Sequence, residues 1–194
     1  MRQLDYNIFA TGLQKAIEDL RKQMKESLSW LTYSFPIAEK ITKVESKKTI
    51  VSPNVRQYKA NGGTYDDIEV VPKERTNFCF FVLLTSERST EVGSQANLGL
   101  IFFVDFSTIN LTADFSSVIK AQVKGILDNP SYRDFNVVVD SMLDSSFKDV
   151  WKEFTMLDTQ QQYARQPYYT FRVNLTIFSQ DVCIVPTIPP VQNC

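Results

Sequence analysis

The sequence predicts an α+β domain, a mainly antiparallel β-sheet with about three helices packed on one face of it. Three observations carry this expectation. An amphipathic segment opens the chain, with apolar residues recurring every three or four positions. Aromatic and β-branched runs with period two fill the middle, and an Asn-Gly-Gly turn joins two of them. Two further helical stretches follow later, each bordered by a strand, an order that suits helices laid on an antiparallel sheet. With 194 residues and 43% hydrophobic content, one domain spanning 1–194 is expected, with a substantial core.

The elements follow in chain order. Within an N-terminal helical region at 1–28, residues 6–28 place Phe9, Leu13, Ala16, Ile17, Leu20, Met24 and Leu28 on one stripe. Charges of both signs fill the opposite face, which reads as solvated. Residues 29–44, SWLTYSFPIAEKITKV, are aromatic and β-branched, and Pro36 divides them into two short strands or one interrupted strand. TIVSPNVRQYK and TYDDIEVV flank ANGG at 60–63, so residues 50–71 are expected to form a hairpin. NFCFFVLLT (77–85) and LGLIFFVDF (98–106) read as buried strands, joined by a polar loop, SERSTEVGSQAN, at 86–97. A second helix is expected within 108–130, stopped by Pro130, then a strand at 135–143. A third helix at 144–154 has Ser146 as its cap and Asp149 three residues on. The last strand, 167–178, alternates. Tyr169, Phe171, Val173, Leu175 and Ile177 share one face, and Tyr168, Thr170, Arg172, Asn174 and Thr176 the other. Three prolines in IVPTIPPVQNC make residues 183–194 an extended arm.

Composition restricts the chemistry. The chain has no histidine, which removes the commonest general base and both Ser-His and Cys-His nucleophile pairs. Cys79, Cys183 and Cys194 have no metal-ligand spacing, so no zinc site and no cofactor is expected. They read as free thiols of a protein made in a reducing cytosol. No signal peptide is expected at residues 1–20, where no apolar run precedes a cleavage site, and no apolar run in the sequence is long enough to span a bilayer. A net charge of −1 gives no general attraction to nucleic acid. Asp66-Asp67 are adjacent on a strand and point to opposite faces, so they do not share a substrate. Gly62-Gly63 lack the lysine and serine of a phosphate loop. Asp105, in a Phe-rich strand, needs either water at the strand end or a cation, for which Arg172 is a candidate. Asn110 and Asn174 each begin a glycosylation sequon, expected to be silent.

Several segments resemble structural proteins of tailed phages of gut Bacteroidales, including the crAss-like phages. The segments are WLTYSFPIAE (30–39), NGGTYDDIEVVP (61–72), NFCFF (77–81), LGLIFFVDFSTI (98–109) and YYTFRVNLTIFSQDVCI (168–184). The group looks like neck, tail-completion or tail-terminator ring proteins. The resemblance implies a tail-terminator-like α+β fold and a non-enzymatic subunit of a six- or twelvefold homo-oligomeric ring. It implies a virion location after synthesis in the bacterial cytoplasm, with portal, neck or tail proteins as neighbours. No membrane or sequence-specific nucleic acid partner is expected. Candidate subunit contacts are Arg21 and Lys25 on the first helix, Glu87, Arg88 and Glu91 on the polar loop, Arg172 on the last strand, and Ile188 and Val191 in the arm. The second reading is a soluble α+β ligand-binding or regulatory module.

Overall fold

A computed structural model describes residues 11–45, 47–59, 64–70, 72, 75–85, 88–90, 93–109, 115–129, 135–144, 146–155, 163 and 165–179. The elements are α1 (Thr11–Ser27), β1 (Tyr33–Ile37), β2 (Glu39–Glu45), β3 (Lys48–Lys59), β4 (Thr64–Glu69), β5 (Phe78–Leu83), β6 (Arg88–Thr90), β7 (Gly93–Asp105), α2 (Phe115–Leu127), β8 (Phe135–Leu143), α3 (Phe147–Val150) and β9 (Tyr168–Ser179). The fold is α+β and mainly antiparallel. The larger sheet runs β1-β5-β7-β9-β8, with β6 continuing the line of β5 along β7. Among the described residues only its β1–β5 pair is parallel. The smaller sheet is β2-β3-β4.

The sheet forms around β5 and β7, which have two apolar faces to bury. Along β5, Cys79 and Phe81 point one way and Phe78, Phe80 and Val82 the other. On the first face the sheet meets Leu13, Leu20 and Met24 of α1 and Ile119, Val123 and Leu127 of α2. Each such side chain, fully buried, is worth about 1.5–3 kcal/mol. Trp30 lies between the two helices and donates its indole N–H to Gln122 Oε1 at 2.9 Å. On the second face Phe78, Phe80, Ile101 and Phe103 meet Val150 and Trp151, together with Val55 of the smaller sheet and Val70 just after β4. The sheet is therefore covered on both sides.

This corrects the expectation that all helices share one face. α1 and α2 do, but α3 lies opposite, because Val150, Trp151 and Phe154 fit the aromatic surface of β5 and β7. α3 is also short: the predicted 144–154 narrows to Phe147–Val150, followed by a turn through Trp151 and Phe154. Its start is as expected, with the Ser146 hydroxyl accepting from Asp149 N–H at 3.1 Å.

Two other boundaries shift, and one alternative is settled. Pro36 sits inside β1, and the register with β5 is broken between Ser34 and Ile37 around it, which is the interrupted strand of the two expected forms. An outer strand tolerates a missing N–H. The polar loop at 86–97 is shorter than predicted, since β7 already begins at Gly93 and Gly93–Asn97 pair with β6 and β9. Polarity did not end the strand because β9 is long enough to carry the pairing on. The second helix starts at Phe115, after a single turn of tighter helix at Phe106–Thr108. The hairpin holds: β3 and β4 run in register to Lys59 and Thr64, and the turn 60–63 lies outside the described residues. So do Phe9, Pro130, Asn110, Glu87, Glu91 and the whole arm 183–194 with Ile188 and Val191.

Candidate functional site

The last strand sets the site question. β9 is the second strand from the sheet edge, and its supposedly polar face is buried for much of its length. Arg172 is 0% exposed and donates to Glu153 Oε2 at 2.5 Å, the carboxylate itself being 12% exposed. Its Nε donates to Asn174 Oδ1 at 2.6 Å, and Asn174 donates onward to Ser141 Oγ at 2.9 Å. Arg172 as an exposed subunit contact is thus corrected: the turn after α3 closes over it. Nor does it pair with Asp105, since Arg172 stands opposite Ile101 and Asp105 opposite Tyr168.

The guanidinium lies over Gly99. A Cβ at that position would sit 2.9 Å from Arg172 Cζ, Nε and Nη2. Glycine in a strand interior here marks a close approach, and it was the available sequence signal for this buried cation. Among the described residues Arg172 Nη2 has no acceptor. One ring away, Trp151 donates its indole N–H to Thr170 Oγ1, which donates to the Phe102 carbonyl. The Arg172 network therefore holds α3 against β9.

Asp105 has a local role. It ends β7, buried, and accepts from Ser107 N–H at 2.9 Å and Ser107 Oγ at 2.6 Å, capping the Phe106–Thr108 turn. Asn77, held at φ 55°, accepts from Asp105 N–H and donates to Thr108 Oγ1, locking the same corner. Asp67 faces Arg56 across the hairpin at 3.1 Å. Asp144 accepts from Lys120 and from Tyr169, and the Lys120 hydrogen bond holds its carboxyl below the usual carboxylate range. Burial pushes the Cys79 thiol up to about 12, the nearby Ser34 hydrogen bond opposing it only in part, so it stays protonated at neutral pH. Among the described residues no three metal-ligating side chains converge. No helix there is long and apolar enough to cross a membrane.

Arg21 and Lys25 are committed to the fold. Arg21 donates from Nε and Nη2 to the Ser34 carbonyl at 3.0 and 2.7 Å. Lys25 donates to the carbonyls of Leu31 and Thr32 at 2.8 and 2.6 Å. These carbonyls lie in β1 and the segment leading into it. Two cations of α1 thus cover the start of the outer edge of the sheet. Arg88, on β6, is exposed.

The opposite edge differs. Among the described residues no strand pairs with the outer side of β8. A register shift between Val139 and Ser141 places Asp140 at a bulge, where it is exposed. Asp140 Oδ2 accepts from Thr176 Oγ1 at 3.0 Å. On the same face stand Val138, 49% exposed, and Phe178, 39% exposed, diagonal neighbours across the β8–β9 pair. A separate cavity of about 740 Å³ opens where the end of β7 and the start of β9 meet α2, lined by Phe106, Phe115, Tyr168 and Tyr169 with Ser107, Ser116 and Gln166. Family models, curated proteins and solved structures give no match to this chain.

Proposed function

We propose that this protein is a structural virion component of a tailed phage, without enzymatic activity, and that it forms a homo-oligomeric ring in the neck or tail-completion region. The observation that carries the reading is the Val138–Phe178 strip beside the edge of β8, which no strand pairs with among the described residues. Two adjacent large apolar side chains left partly in water at the margin of the sheet suit a protein contact better than a reaction. The charged groups point the same way. Arg172, Glu153, Asp105, Asp144, Arg21 and Lys25 are engaged in holding elements together. The five segments that resemble phage ring proteins add the biological setting.

Neighbours in this reading are portal, neck or tail proteins, and the ring is six- or twelvefold. Native mass spectrometry of the purified protein and protein analysis of purified virions test it. A closed oligomer and a virion band are expected. A chain that is monomeric at every concentration and absent from virions overturns the proposal. The ligand-binding reading rests on the aromatic cavity, whose size suits a small molecule. A ligand-dependent rise in melting temperature that Phe106→Ala abolishes is the result that favours it.

A further inference from the structure

We draw no further inference here: the strongest candidate, the half-exposed Val138–Phe178 strip at the β8–β9 margin of the larger sheet, is an apolar patch, and nothing among the described residues shows what covers it.

Discussion

At the scale of single residues, the buried Arg172 is the most consequential side chain. Its partner Glu153 is nineteen positions away and on another element, so neither periodicity nor spacing could join them. What the sequence did show was alternation in β9, and an alternating strand reads as half-solvated until something is known to cover it. Two stability experiments follow from the geometry. Gly99→Ala forces a Cβ into a guanidinium that Glu153 and Asn174 hold in place, and should cost about 1–3 kcal/mol in urea denaturation. Arg172→Ala leaves Glu153 without its partner and should cost about 3–5 kcal/mol, while Arg172→Met with Glu153→Met should regain most of that. Equal losses in the single and double variants would show that packing, not charge, governs the site. Cys79 offers a pH experiment. Its thiol is raised to about 12 in the folded chain from an ordinary value of 9.0. The unfolded chain therefore gives up the proton first as pH rises, and stability held below pH 9 falls through the window up to about 12. The slope attributable to Cys79, by comparison with Cys79→Ala, should approach about 1.4 kcal/mol per pH unit in that window.

At the scale of elements, the sequence was most legible where a stripe had one purpose. Leu13, Ala16, Ile17, Leu20, Met24 and Leu28 of the predicted first stripe are all buried. β8 occupies the predicted 135–143, and the paired β3 and β4 flank the Asn-Gly segment. What periodicity could not tell was which face of the sheet each helix would take. An apolar stripe says that a partner exists, not which one. The charged face of α1 is solvated as expected, with Glu18, Lys22, Lys25 and Glu26 exposed, yet Arg21 and Lys25 also cap backbone carbonyls thirteen and six to seven residues away. Arg21→Ala should lower stability by about 1.5–3 kcal/mol, the range for a hydrogen bond from a charged donor, with the lower end favoured by its partial exposure. The Lys120–Asp144 pair joins α2 to the end of β8 and is one-third exposed. Lys120→Met should therefore cost only about 0.2–1 kcal/mol at neutral pH. Because Asp144 is depressed by this contact, its contribution is present above the unfolded carboxylate pKa and is lost as pH falls through the folded one. The difference between Lys120→Met and wild type should shrink correspondingly in acid.

At the scale of the whole molecule, the two aromatic-rich clusters share one sheet. β5 and β7 contribute alternate residues to each, so neither cluster survives loss of the other's support. The chain's two tryptophans fall one in each: Trp30 with α1 and α2, Trp151 with α3. Trp30→Phe and Trp151→Phe therefore give two single-tryptophan proteins that watch opposite sides of the sheet. Their fluorescence transitions in denaturant, each compared with far-ultraviolet circular dichroism of the same variant, should coincide with it. A fluorescence change on one side that precedes the loss of secondary structure would show that the smaller sheet and α3 open as a separate unit.

The unequal edges of the larger sheet have a consequence of a different kind. In polymer terms, a sheet that can add a strand at both ends is a bifunctional monomer and grows without limit. Here α1 blocks the start of β1 by occupying its carbonyls, and Pro36 removes an N–H from the same strand. Among the described residues β8 remains reactive, while β6, which also has a single neighbour, offers only three residues. The sheet is thereby a monofunctional unit, an end-capped chain in which the first edge-to-edge encounter is also the last. At high concentration such a chain can collide repeatedly through its backbone without nucleating a fibre.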